Sequence, residues 1–141
     1  MKIKNKFKFK TSKTFRDKRG WLKKILDGNF SSCIEVYSKK GTIRANHYHK
    51  KDKHFIYIIS GEILYFRKDL KKNAKTKVTL MKKNDLFFTP MMQEHMAYFT
   101  KRTHFLAFST RKRTKFDYEK DLIRVNMEKY SEVKKAILKY K

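Results

Sequence analysis

Cysteine, proline and glycine are scarce in this 141-residue chain, which contains one, one and four of them respectively. Because Cys33 is the single cysteine, no disulfide can form within the chain, and we expect a reducing compartment, the cytoplasm. The small amount of glycine and proline leaves no stretch typical of a linker or a low-complexity region. The length suits a single domain over residues 1–141.

Long hydrophobic runs are also missing. The first ten residues, Met1–Lys10, alternate lysine with other residues and contain no continuous apolar stretch. We therefore expect neither a signal peptide nor a membrane span.

Acidic residues are few, since 13 Asp and Glu stand against 38 Lys and Arg, for a formal net charge of +25. Such a surface attracts phosphates, whether on nucleic acid, lipid or a nucleotide substrate. The lysines are scattered along the whole chain, which favours a biased composition over one dedicated patch. No recognised nucleic-acid motif is present, and we predict no specific nucleic-acid partner.

Short segments of β type dominate the chain. Many show the period-two alternation of a half-buried strand, and turn residues such as Ser60-Gly61 separate them. Many short strands predict a sandwich, jelly roll or barrel, here over about residues 1–115. Helical spacing from Ser131 onward predicts a short helix in the C-terminal extension, about 116–141. The predicted strands are Lys2–Lys10, Trp21–Leu26, Cys33–Tyr37, Thr42–His49, Phe55–Ser60, Glu62–Phe66, Lys77–Met81, Leu86–Thr89, His95–Phe99 and Phe105–Ser109.

The five histidines are the strongest candidates for a functional site. His47 and His49 are two apart in a strand-type segment, so both side chains leave the same face of the sheet. If that face is the inside of a closed barrel, the two imidazoles can share one metal ion. His54 begins the next strand and His95 opens a much later one, whereas we interpret His104 as an ordinary strand residue.

These residues resemble the two motifs of the cupin family. Gly41, five residues, His47, one residue, His49, four residues, His54, six residues and Gly61 reproduce the spacing of the first motif. Asn84-Asp85, Pro90 and His95 match the second. The resemblance implies an all-β, cupin-type jelly-roll barrel with a short C-terminal helix. It also implies a divalent transition metal held by His47, His49, His54 and His95, although His54 replaces the usual glutamate. Nitrogen ligands alone suit Zn, Fe, Ni, Mn or Cu.

Two further fragments resemble the sugar-nucleotide cupins, which are deoxysugar epimerases and ketoisomerases. The first, Asp17-Lys18-Arg19-Gly20-Trp21, is similar to their Asp-x-Arg-Gly-aromatic signature. The second, Arg44-Ala45-Asn46-His47, is similar to their Arg-Gly-x-His segment. The cupin domain of bifunctional capsular-polysaccharide proteins is also similar, at Asn46–His49 and Ser60–Glu62. We therefore expect a metal-binding epimerase or isomerase that acts on a nucleotide-linked 4-keto-deoxysugar.

The same resemblance implies roles for individual residues. It makes His47 the catalytic base and Arg19 and Arg44 contacts to the substrate. Arginine suits a diphosphate because its fork of N–H donors binds two oxygens at once. A tyrosine is expected as the catalytic acid, and we select Tyr98, with two alternatives that are also candidates, Tyr57 and Tyr65.

Two other classes of function remain open from the sequence. An Fe- or Cu-dependent cupin oxygenase would use the same histidines, because open positions on such a metal support O₂ chemistry. A non-catalytic cupin would only bind a small molecule inside the barrel. In each case we expect a homodimer, because a small barrel has strand edges to protect and the similar cupins are dimeric.

Overall fold

Twelve β-strands and two short α-helices make up the computed structural model, which describes residues 6–141. The N-terminal part of the predicted strand Lys2–Lys10 lies outside the described residues. The strands are β1 Lys8–Phe9, β2 Phe15–Asp17, β3 Gly20–Leu22, β4 Ser32–Ser38, β5 Ile43–His49, β6 His54–Ser60, β7 Glu62–Asp69, β8 Lys77–Lys82, β9 Leu86–Thr89, β10 Gln93–Phe99, β11 Thr103–Ser109 and β12 Leu122–Arg124. The helices are α1 Lys115–Asp121 and α2 Ser131–Leu138.

Two five-stranded antiparallel sheets form the body of the fold. One has the strand order β1-β9-β6-β11-β4 and the other β12-β5-β10-β7-β8. Side chains alternate between the two faces of each strand, and the inward-facing ones form a single apolar core. That core contains Ile56, Ile58, Ile63, Tyr65, Met81, Phe87, Ala97, Phe99, Phe105 and Ala107. This architecture confirms the prediction of an all-β fold.

Gly61 makes the tight connection between β6 and β7. Its φ is +98°, a left-handed conformation that side chains disfavour. A Cβ there would also collide with the carbonyl oxygen of Arg102 and with Thr103. The glycine at the end of the first motif is therefore required by the turn itself.

The C-terminal extension covers the outer face of the second sheet. Met127, Val133 and Ile137 pack there against outward-facing residues of β7 and β10, which are Leu64, Phe66, Met96 and Tyr98. Helical spacing brings Val133 and Ile137 to the same side of α2. This packing confirms the predicted short C-terminal helix.

A separate hairpin, β2–β3, carries the Asp17–Trp21 segment. Its strands pair only with each other among the described residues. Phe15, Trp21 and Leu22 are all more than half exposed on it. None of the helices in residues 6–141 is both long enough and apolar enough to cross a bilayer.

Candidate functional site

Four imidazoles converge inside the barrel, although they come from three strands. His47 and His49 lie on β5, His54 on β6 and His95 on β10, and all four are buried. The ring centroid of His47 lies 4.7 Å from that of His49 and 4.8 Å from that of His95. His54 is 5.4 Å from His49 and 5.5 Å from His95. We call these four side chains the histidine cluster.

Strand register explains why the cluster forms. His47 and His95 are direct cross-strand partners, so their side chains share the inner face of the sheet. His49 follows His47 by two residues and stays on that face. His54 begins β6 in the opposing sheet and faces inward across the gap, as do Ile56 and Ile58 after it.

A carboxylate orients one member of the cluster. The Nδ1 atom of His49 lies 3.1 Å from Oδ2 of Asp121, the last residue of α1. An ionised carboxylate only accepts hydrogen bonds, so His49 donates from Nδ1 and keeps a free lone pair on Nε2. That Nε2 is buried and has no hydrogen-bond partner within residues 6–141. His49 is thus arranged to accept a proton at Nε2.

Backbone hydrogen bonds hold Asp121 in its ionised state. The amide of Lys51 donates to Oδ1 at 2.8 Å and the amide of Asp52 to Oδ2 at 3.1 Å. Burial alone would raise the pKa of Asp121, but these amides and His49 outweigh it and lower that pKa below its ordinary value. Asp121 is therefore a fixed negative charge behind His49.

Burial keeps the imidazoles neutral. It is the largest cause that lowers the pKa of His47 to about 2 and of His95 to about 3, from 6.5. Burial also lowers the pKa of His54 and His49, but at His49 the carboxylates of Asp52 and Asp121 oppose the shift. All four imidazoles are therefore neutral at neutral pH, and His49 is the one whose protonation nearby carboxylates favour.

Tyr118 of α1 is the phenol that contacts the cluster from the C-terminal extension. Its ring centroid lies 6.1 Å from that of His47 and 6.0 Å from that of His49. Burial raises the pKa of Tyr118, so it keeps its proton at neutral pH. The sequence prediction missed this residue and Asp121, because both lie beyond the strands of the motifs.

The structure places Tyr98 elsewhere. Tyr98 faces outward from β10 and packs against Met127 and α2, on the other side of the sheet from the cluster. This position does not support Tyr98 as the catalytic acid, which stays a prediction. Of the two alternatives, Tyr65 faces inward with its hydroxyl 2.6 Å from Thr89 Oγ1, while Tyr57 bonds Asn84.

The two predicted substrate arginines are not part of the cluster either. Arg19 is an exposed hairpin residue, bonded to Asp17 Oδ2 at 2.6 Å. Arg44 bonds Ser38 Oγ at 2.6 Å and the carbonyl of Tyr37, which ties β5 to β4 of the other sheet. Their role as substrate contacts therefore stays a prediction. Among the described residues, Arg113 and Arg124 are the arginines whose charge lowers the pKa of His47.

Comparison with known proteins identifies the fold. No family model and no curated protein matches the chain. Among solved structures, the epimerase RmlC of Mycobacterium tuberculosis has a TM-score of 0.71 at 9% identity, covering 91% of this chain and 72% of that one. A dTDP-4-dehydrorhamnose 3,5-epimerase from Sulfolobus tokodaii has a TM-score of 0.69 at 18% identity, with 84% and 76% covered.

A third similar structure is closer in length to this chain. It is a double mutant of the 3,4-ketoisomerase QdtA from Thermoanaerobacterium thermosaccharolyticum, in complex with TDP. The TM-score is 0.66 at 20% identity, and the match covers 91% of this chain and 94% of that one. These similarities confirm the predicted cupin-type jelly roll and its resemblance in fold to the sugar-nucleotide cupins.

The predicted transition-metal cofactor is wrong. Ring nitrogens of His47, His49 and His95 do lie within 4.8 Å of one another, and so do ligand atoms of His49, Asp52 and His54. However, the epimerases of the RmlC type that share this fold act without a metal cofactor. The spacing of the histidines predicts that their imidazoles converge. Convergence alone does not distinguish metal ligands from residues that transfer protons.

Proposed function

We propose that this protein is an isomerase that epimerises a nucleotide-linked 4-keto sugar or moves its ketone group. The main support is the pair His49–Asp121, because Nε2 of His49 is buried among neutral imidazoles and has no hydrogen-bond partner within residues 6–141. The fold adds support, because similar structures include QdtA in complex with TDP-4-keto-6-deoxyglucose and a Legionella pneumophila epimerase in complex with dTDP-4-keto-L-rhamnose.

His49 is the base in this proposal, in place of the predicted His47. A hydrogen on the carbon next to a ketone is acidic enough to be removed by a well-placed imidazole. His49 Nε2 takes that proton, the C–H electron pair forms a carbon–carbon double bond, and the carbonyl oxygen becomes an enolate. Asp121 stabilises the resulting imidazolium and fixes the tautomer that can accept the proton.

The same enolate leads to either product. If a proton returns to the same carbon from the opposite side, the sugar is epimerised. If it returns instead to the carbon that carried the ketone, and the neighbouring hydroxyl passes its proton to the enolate oxygen, that oxygen becomes a hydroxyl and the ketone has moved by one position. Tyr118, which is protonated and next to His47 and His49, is the proposed donor of that proton.

Solvent exchange tests the proposed function directly. The protein is incubated with TDP-4-keto-6-deoxyglucose in D₂O, and proton NMR follows the ring positions beside the ketone. We expect deuterium at C3 or C5 and a new product spectrum. If neither exchange nor product is seen with this and related nucleotide-linked ketosugars, the proposed reaction is wrong.

Two matched pairs of variants test the assigned roles. Asp121→Asn places an amide donor opposite Nδ1 of His49 and forces the ring proton onto Nε2. The rate of deuterium exchange should therefore fall by about 10²-fold or more. Its control is Asp27→Asn, an exposed position at which the rate should not change. Tyr118→Phe should retain exchange but lose product, because the base remains and the acid is gone. Tyr98→Phe, on the outer face, should behave like the wild type.

A further inference from the structure

Arg113 lies between β11 and α1, in contact with two residues that border the histidine cluster. Its Nε donates to Ser109 Oγ at 3.4 Å, and its guanidinium carbon lies 4.8 Å from the centroid of the Tyr118 ring. Ser109 is fully buried and is the cross-strand partner of His54. Tyr118 lies beside His47 and His49. The two anchors of Arg113 therefore border the cluster, one on strand β11 and the other on helix α1.

The charge of Arg113 acts on the whole cluster. Together with burial, it lowers the pKa of each of the four imidazoles, whereas Arg124 acts in this way on His47. Within residues 6–141 no carboxylate forms a salt bridge with Arg113. Arg124, by contrast, is paired with Glu119 at 3.0 Å. Arg113 is thus a half-buried cation whose charge is available to a bound molecule.

We propose that Arg113 binds the carbonyl oxygen of the substrate and stabilises the negative charge that develops on it. This inference rests on the proposed function. When His49 removes the neighbouring proton, the carbonyl electron pair moves to oxygen, and a positively charged hydrogen-bond donor that faces that oxygen stabilises the enolate. The four imidazoles are neutral and Asp121 is negative, so none of them supplies this positive charge. Arg113 has N–H donors for an oxyanion and needs no metal to act.

Tyr118 holds the guanidinium in place for this role. A cation over an aromatic face is attracted by the ring, and stacking limits the orientations of the planar group. The Nε atom also donates to Ser109 Oγ, so the guanidinium is held at the ring of Tyr118 and at β11. Fixed donors cost little reorganisation during the reaction, and that is the condition for strong stabilisation of a developing charge.

The test compares Arg113→Gln with Arg111→Gln. Arg111 is exposed, lies two residues away and carries the same charge, and its backbone amide still reaches Asp52 in the variant. The readouts are the rate constant of deuterium exchange into TDP-4-keto-6-deoxyglucose at saturation, the substrate Kd from calorimetry, and the far-UV circular dichroism of each variant. We expect Arg113→Gln to reduce the exchange rate by about 10²- to 10³-fold with a Kd changed by less than about threefold. Arg113→Lys should recover part of the loss, and Arg111→Gln should match the wild type.

Each contrary outcome has a separate meaning. If Arg113→Gln weakens substrate binding while the saturated exchange rate stays unchanged, Arg113 binds the diphosphate and the inference is wrong. If Arg113→Gln and Arg111→Gln both exchange at the wild-type rate, the inference fails while the proposed function stands. If the folded wild type shows no exchange, both fail together.

Discussion

Acidification is expected to destabilise this protein through two buried imidazoles. Burial lowers the pKa of His47 to about 2 and of His95 to about 3, below the value of 6.5 in the unfolded chain. Above about pH 7 neither state binds these protons, so the rings add no pH dependence. As the pH falls below about 6.5, the unfolded chain binds a proton at each ring and the folded chain does not. The free energy of unfolding must therefore decrease.

The decrease in the free energy of unfolding can be calculated from the folded and unfolded pKa values of the two rings. One pKa unit corresponds to about 1.4 kcal/mol, and pH 4.5 lies about two units below the unfolded pKa. At pH 4.5 each ring then lowers the free energy of unfolding by about 2.7 kcal/mol, and the two together lower it by about 5 kcal/mol. Because both folded pKa values lie well below 4.5, the figure depends on the unfolded value alone. It is a large share of the stability of about 5–15 kcal/mol that is usual for a domain.

Urea unfolding at pH 7.5 and pH 4.5 measures this loss. Circular dichroism is the suitable signal, because Trp21, the single tryptophan, is 62% exposed and reports poorly on the core. The double variant His47→Asn/His95→Asn should lose about 5 kcal/mol less than the wild type between the two pH values. The variant His104→Asn, whose ring bonds Glu35 on the outer face, should lose as much as the wild type.

The difference between the double variant and the wild type in this loss of unfolding free energy isolates the contribution of the two rings. Carboxylates also become protonated at pH 4.5, and the excess positive charge of the chain then grows in every variant. If the double variant and the wild type lose the same free energy, those general effects govern acid unfolding and the reasoning about His47 and His95 is refuted.

Three further changes test other parts of the structure. Ala45→Gly should stabilise the chain by about 1 kcal/mol in urea unfolding, because Ala45 has φ 66°; a destabilised variant would contradict strain there. Trp21→Ser with Leu22→Ser should convert the expected homodimer to a monomer in light scattering, since both side chains are exposed on the hairpin; an unchanged mass would place the interface elsewhere. Removal of divalent metals with EDTA should leave deuterium exchange unchanged, whereas a loss restored by one ion would contradict the metal-free reaction.

The strands were largely predictable because alternation and turn residues are local signals. The strand predicted at Leu86–Thr89 has the same bounds in the structure. The prediction Trp21–Leu26 is too long, since only Gly20–Leu22 form a strand, paired with β2. Alternation shows that a segment can be a strand, but a hydrogen-bonded partner decides how much of it becomes one.

Side-chain direction explains which site residues could be found from the sequence. Tyr98 follows His95 by three residues on a regular strand, so period two alone places it on the outer face. Arg44 precedes His47 by three residues, yet a bulge with positive φ at Ala45 and Asn46 returns it to the inner face beside Ala97. The position of Tyr98 could therefore be predicted from spacing. The position of Arg44 could not, because a bulge formed by two non-glycine residues gives no sequence signal.

The pair His49–Asp121 shows a second limit of the sequence. The two residues are 72 positions apart, and Asp121 ends the helix that lies between β11 and β12. Only the pairing of β12 with β5, which places Leu122 opposite His49, brings the carboxylate to the ring. A contact made through the register of distant strands requires the topology to be known first.

Barrel and extension therefore contribute different chemistry to one site. The strands supply four imidazoles that burial keeps neutral, while residues after β11 supply the charged and acidic groups, Arg113, Tyr118 and Asp121. A neutral cluster can hold a ketone but does not, by itself, orient a base or stabilise an enolate. Arg113→Gln and Asp121→Asn should therefore reduce exchange, and Tyr118→Phe should lose product, in a barrel that still folds, because none of these three residues belongs to the apolar core between the sheets.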